Sequence, residues 1–382
     1  STGEKGDREK GLLDAAGKKI PFINKIILSF DRESTSLWHK FMQGYLDAAG
    51  IPKEQFSKVI TDNRTLSPPM REKGIVLTKA RASDIFYLSF NFTDPVVGGY
   101  TAADRKLRQA IGKAFNRKKF IKIFRNSRGI IPQSPIPPGI FGYTTNVNPY
   151  LEYDPAKARR LLKQAGYEQG IDPATGQRLQ LKFDNAYTDP SSRPQLQFIQ
   201  EQFKKIGINL ELATTDLNTF RRKKEKGNYQ IFMNGWILDY PDPENFLFLL
   251  YGPNSRGKYD GQNDANYNNP EFNRLFRKME TMPNTARRRQ IINQAVEILN
   301  RDVPWVYLFH SVDFILGHNW LQNIKYTELI NNKYKYYRID NSRRQQYIDE
   351  YNQPVYYPLL IIFIILIIFI IPGIIYLKRK YN

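Results

Sequence analysis

Trp236 and Asp239 stand three residues apart in the run Gly235-Trp236-Ile237-Leu238-Asp239-Tyr240-Pro241-Asp242-Pro243-Glu244-Asn245-Phe246-Leu247. An indole face beside a carboxylate, on a turn stiffened by two prolines, can hold a small ligand with a cationic end. The ring offers a flat wall that attracts cations, and the acid offers a charge-assisted acceptor. Taken alone, the same pattern also describes a core aromatic next to a turn-capping acid, so its meaning rests on what positions it. Other chemistries find less support. There is no Gly-x-Ser-x-Gly, no phosphate loop and no cysteine, and the three histidines lie far apart at positions 39, 310 and 318. Asp239, Asp242 and Glu244 on a proline-rich turn lack the paired setting that glycoside hydrolysis needs. These absences point to a binding protein rather than an enzyme, with no metal and no cofactor.

The chain has 382 residues, with 57 Lys+Arg against 37 Asp+Glu for a net charge of +20. That surplus admits nucleic acid, an anionic membrane surface or acidic ligands as partners. No nucleic-acid recognition motif accompanies it, so a nucleic-acid partner is not expected. The densest basic runs, Arg221-Arg222-Lys223-Lys224 and Arg287-Arg288-Arg289, fall in helix-like contexts and read as solvated faces.

The elements that would position the turn alternate between strand and helix. Residues 20–30 alternate as a strand, 34–46 read as a helix, and 75–78 and 85–92 as strands. Residues 91–95 and Gly98-Gly99 form a loop, after which Thr101 and Asp104 make a capping box for a helix striped by Leu107, Ala110, Ile111, Ala114 and Phe115. Four prolines between 132 and 142 exclude regular structure there. Asp154-Pro155 opens a helix that Gly166 stops. Leu179, Leu181 and Phe183 then alternate, a helix follows through Leu196, Ile199, Phe203 and Ile206, and Ile208, Leu210 and Leu212 alternate again, as in a βαβ unit. A short basic helix over 217–226 leads to a strand at 229–232 that feeds the Trp-containing turn. Ligands gather beyond the carboxyl ends of strands in open α/β sheets, which places Trp236 and Asp239 well. Asn269-Pro270 caps a further helix, 287–299 form another, and 302–310 a strand.

Residues 1–19 are polar and lack the apolar core of a signal peptide. Residues 359–377 carry no charge and are long enough to span a bilayer, with Tyr356 and Tyr357 at one edge and Lys378-Arg379-Lys380 at the other. Aromatic belt and basic flank together predict a single-pass membrane helix with the tail in the cytoplasm and residues 1–355 outside.

In order and spacing, several blocks together resemble the extracellular solute-binding proteins of family 5, the dipeptide- and oligopeptide-binding components of ABC importers. The blocks are Tyr87-Leu88-Ser89-Phe90-Asn91, Arg108-Gln109-Ala110-Ile111 with Ala114-Phe115-Asn116-Arg117, Ser134-Pro135-Ile136-Pro137-Pro138-Gly139, Tyr153-Asp154-Pro155 with Ala165-Gly166-Tyr167, the turn from Gly235 to Phe246, Tyr267-Asn268-Asn269-Pro270, and Val303-Pro304-Trp305 through His310. The resemblance implies an α/β fold of the type II periplasmic-binding-protein kind, a two-lobed clamp whose first lobe is incomplete here. By that alignment 20–95 belong to lobe I, 96–302 to the ligand-binding lobe II and 303–340 to lobe I again, with hinges near 92–95 and 303–304, a juxtamembrane linker at 341–358 and a basic tail at 378–382. The chain looks like the carboxy-terminal portion of such a protein.

The resemblance also implies function: capture of peptides outside the membrane and delivery to permease subunits and their ATPase. Asp239 matches the acid that neutralises a peptide's α-ammonium group, with Trp236 as its wall and Tyr240 beside them. No position clearly matches a basic residue for the peptide carboxylate. Arg193, Asn185 and Tyr187 are the candidates. Longer peptides, glycosides or metal complexes therefore stay open as ligands, as does a non-binding, membrane-tethered interaction protein.

Overall fold

The computed structural model describes residues 3, 6–9, 11–31, 33–325, 332–354 and 356–381. The chain divides into two compact units, one of residues 1–77, 315–325 and 332–382, the other built on 78–314. Both segments expected as hinges, 92–95 and 303–304, lie inside the second unit.

In the first unit, α1 (Ser34–Met42) packs Trp38 and Phe41 inward, and β1 is Ala48–Gly50. The expected strand over 20–30 is not there. Among the described residues of this stretch the backbone is coil, and Leu28 and Phe30 are 81% and 92% exposed. Alternation predicts a strand only where a neighbour supplies the ladder bonds. β2 (Ile75–Arg81) begins in this unit and runs into the next.

The second unit carries the main sheet. After β3 (Asp84–Phe90) come α2 (Ala102–Ala114), α3 (Arg117–Phe124) and α4 (Pro155–Gln164). β4 (Gln180–Asn185), α5 (Arg193–Lys204) and β5 (Asn209–Thr214) form the predicted βαβ unit, with β4 and β5 parallel from Gln180↔Asn209 to Asn185↔Thr214. α6 (Leu217–Glu225) leads to β6 (Ile231–Ile237), which pairs parallel with β4 at Phe183↔Ile231 and antiparallel with β3 from Asp84↔Ile237 to Phe90↔Ile231. A one-turn helix α7 (Glu244–Leu247), α8 (Pro270–Met279) and α9 (Ala286–Asp302) precede β7 (Trp305–His318). β7 lies antiparallel to β3. The order within this unit is therefore β7-β3-β6-β4-β5.

β3 is an interior strand, buried at every position but Phe86, with Tyr87 stacked on Trp305 at 3.6 Å. Apolar faces of α2, α5, α8 and α9 supply the rest of the core, including Ala110, Ile199, Phe272 and Leu299. The caps work as the sequence predicts. Thr101 Oγ1 accepts from the Asp104 amide at 3.2 Å while Asp104 accepts from the Thr101 amide at 2.8 Å, and Asp154 caps α4 through the Lys157 amide at 2.8 Å. Gly166 follows α4 at φ +95°, a conformation that favours glycine.

The first unit resumes after β7 passes Phe314. The far end of β7 pairs with β1 at Gly50↔Ile315, and His318 stacks on Trp320 at 4.0 Å. β8 (Leu321–Gln322) pairs with β9 (Arg338–Ile339). The stretch 341–358, read as a linker, contains α10 (Asn341–Tyr351), which tucks Tyr347 against His318 and Trp320. α11 (Tyr357–Tyr381) is a 25-residue helix, exposed where its side chains are described, and long and apolar enough to cross a membrane.

Candidate functional site

Pairing with β3 extends β6 to Ile237, so Trp236 sits within the strand opposite Ile85 rather than after it. The chain then turns sharply through Asp239–Pro243 into α7. One side chain organises this turn. Asn245, 1% exposed, uses its Oδ1 to accept from the Trp236 indole N–H at 3.2 Å and from the Asp239 amide at 2.9 Å. Its Nδ2 donates to Asp239 Oδ2 at 3.3 Å. Tryptophan and acid are thus held by one buried amide, and Phe248 braces the indole edge-on at 5.4 Å.

The second anchor is Arg288. It is 2% exposed and donates to both oxygens of Asp242, at 2.7 and 2.6 Å, and also to Asn284 Oδ1 and the Met279 carbonyl. The run 287–289 is therefore not a uniform solvated face: Arg287 and Arg289 are exposed, while Arg288 is a buried strut for the turn. A related correction applies to 221–224. Arg221 and Arg222 are exposed, but Lys223 pairs with Asp184 at 2.5 Å and Lys224 with Asp264 at 2.7 Å.

With the turn fixed from behind, Asp239 stands exposed and Trp236 half-buried. Tyr240, also exposed, donates its hydroxyl to Glu244, and partial burial together with that bond pushes the phenol up to about 12. It remains a neutral donor at physiological pH.

The other predicted residues gather at the carboxyl end of β4. Asn185 Oδ1 accepts from the Tyr187 amide at 3.1 Å and from Thr214 Oγ1 at 3.2 Å, and its Nδ2 is buried without a hydrogen-bond partner among the described residues. Burial raises the Tyr187 phenol above its ordinary value. Arg193 is exposed at the first position of α5. Trp236 is thus the last residue but one of β6, with Asp239 and Tyr240 just after the strand, while Asn185 ends the neighbouring parallel strand β4, with Tyr187 and Arg193 following it. A contact between Gln195 Nε2 and Met233 Sδ at 3.4 Å ties the start of α5 to β6. Sequence reasoning missed Asn245 and Arg288 as supports. The Asn six residues after Asp239 was the only available signal for the first.

The arrangement offers a fixed, solvent-facing carboxylate beside a half-buried indole. Tyr240 adds a phenol beside them, bonded to Glu244.

Residues 14–258 match the family described as bacterial extracellular solute-binding proteins, family 5 middle. The heme-binding protein A of Haemophilus influenzae is 26% identical over 293 residues, covering 76% of this chain and 49% of that protein. The dipeptide-binding protein of Escherichia coli is 27% identical over 245 residues, covering 64% of this chain and 43% of that one. The chain thus spans about half the length of these relatives. In structure it is similar to the ABC transporter-associated periplasmic binding protein DppA of Helicobacter pylori, solved with the peptide STSA, at a TM-score of 0.66 and 24% identity over 86% of this chain and 59% of that one. The fold is that of the type II periplasmic binding proteins.

Proposed function

The chain belongs to the bacterial extracellular solute-binding proteins of family 5, and on that premise we propose that it is the substrate-binding component of an ABC importer, capturing peptides outside the membrane for a permease and its ATPase. Asp239 neutralises the peptide α-ammonium group, and Trp236 forms the adjoining wall. Tyr240, Asn185, Tyr187 and Arg193 supply the polar rim that meets the peptide backbone or carboxylate. Residues 96–302 act as the ligand-holding lobe, α11 tethers the chain to the membrane with Lys378, Arg379 and Lys380 in the cytoplasm, and the protein carries out no catalysis.

The observation that carries this reading is the Asn245 clamp. A buried amide spends its hydrogen bonds on holding one indole and one carboxylate together while the carboxylate faces solvent. A capping acid with no further task needs no such support. Pre-organisation of this kind lowers the ordering cost of binding. Calorimetry with a panel of short peptides tests it. Asp239→Ala should weaken binding strongly with the fold intact, and unchanged affinity would remove Asp239 from the site.

A second reading keeps the scaffold and changes the ligand. It is favoured by the relative named heme-binding protein A. Competition between haem and peptide on the same chain separates the two: haem binding that is indifferent to peptide and to Asp239→Ala would favour a non-peptide solute.

A further inference from the structure

β4 has two faces, and the site above uses only one. Leu181, Phe183 and Asn185 point one way, and Gln180, Lys182 and Asp184 point the other. On that second face lies a cleft of about 510 Å³, lined by Gln180, Lys182 and Asp184 of β4, Glu211 of β5, and Asp94 and Gln230 from adjoining loops. Parallel pairing sets Lys182 opposite Glu211, which brings the polar residues of both strands onto this face.

Its three carboxylates share a peculiarity. Asp94 Oδ1 accepts from the Val96 and Val97 amides at 2.9 and 3.0 Å, and Glu211 Oε2 accepts from Gln180 Nε2 at 3.0 Å. Asp184 Oδ1 accepts from Lys223 Nζ at 2.5 Å. Each acid is engaged through one oxygen. For Asp184 the remaining oxygen is buried and has no hydrogen-bond partner, although its side chain is only 1% exposed. An orphaned carboxylate oxygen at that depth asks for a donor that the described residues do not supply. Gly227, just past the end of α6, lines the same cleft, and the carboxyl end of a helix favours positive charge.

Among the described residues, no group of three His, Cys, Asp or Glu side chains is placed to hold a metal ion. Glu211 sits opposite Lys182, and Asp184 lies two residues further along the same strand, so these two carboxylates are offset along the sheet and match a ligand whose positive charges are themselves spaced apart.

We propose that this cleft is a second ligand site, for a small linear diamine or polyamine. One ammonium group donates to Asp184 Oδ2 and another to Glu211. Lys223, on a flexible stem and 22% exposed, yields to admit the first. Lys182 is the one cation among the lining side chains and opposes binding. A chain of net charge +20 repels free polycations at long range, so saturable uptake must come from a local site.

The test is calorimetric titration of the full chain with spermidine and with putrescine at physiological salt. Saturable binding is expected, weakened about tenfold or more in Asp184→Asn/Glu211→Gln, since charge-assisted bonds are lost while neutral ones remain. Circular dichroism and peptide binding should be unchanged in that variant. Lys182→Met, which leaves the acids intact, should tighten binding and serves if the double variant does not fold. Absence of binding to the unmodified chain, affinity indifferent to the double substitution, or no gain from Lys182→Met would each overturn the proposal.

Discussion

Replacing Asp242 by alanine leaves Arg288 as a buried, unpaired charge. In the structure Arg288 makes two bonds to that carboxylate and is 2% exposed, whereas the Asp242 side chain is 29% exposed. Breaking a fully buried pair from one side costs about 3–5 kcal/mol. The partial exposure of Asp242 admits water to the freed guanidinium, and the bonds to Asn284 and the Met279 carbonyl survive. The expected loss is therefore smaller, about 2–3 kcal/mol. In a domain of this size that lowers the melting temperature by roughly 5–10 °C. Urea unfolding followed by tryptophan fluorescence reads the change, and Trp236 reports on the turn itself. The double substitution Asp242→Ala/Arg288→Met should regain part of the loss, because it removes the stranded charge while filling its volume. If Asp242→Ala shifts stability by less than about 0.5 kcal/mol, within the range of ordinary surface substitutions, Arg288 is not the strut described here.

Three further outcomes follow from the same structure. Asn245→Ala removes acceptor bonds to Trp236 and Asp239, which should cost about 2 kcal/mol at about 1 kcal/mol per bond, and should red-shift Trp236 emission; unaltered emission would count against the clamp. Thr101→Ala should cost about 1 kcal/mol through loss of the α2 cap, measurable by the same unfolding assay. Burial holds His310 and His318 down to about 4, below the ordinary 6.5. The unfolded chain then binds more protons than the folded one between those values, so stability is full above about pH 6.5 and falls as pH drops toward 4. Unfolding midpoints at pH 7 and pH 5 check this, and His310→Gln should flatten the dependence.

What the sequence made legible follows from the range of the interactions concerned. α2, α4 and α8 announce themselves through caps that bond within three residues, and the βαβ unit through a change of period from two to 3.6 and back. Trp236 and Asp239 were visible as a motif for the same reason. Arg288 was not, because its partner lies 46 residues away and a basic triplet gives no hint of which member turns inward. The strand expected over 20–30 failed for want of a pairing partner. α10 was overlooked because Tyr347 is its one buried residue, which leaves no stripe to read. The end of β6 was misplaced since β3 alone decides how far its ladder runs.

The central claim is that Asp239 recognises the amino terminus of a peptide. The direct measurement is calorimetric titration of the full chain with one short peptide in two forms, bearing a free α-amino group or an N-acetyl cap, against both the unmodified chain and Asp239→Asn. The account predicts that the free amine binds about tenfold or more tightly than the capped form, as expected for one charge-assisted bond, and that Asp239→Asn abolishes the difference. Equal affinity for the two forms on the unmodified chain, or a preference that survives Asp239→Asn, would contradict it.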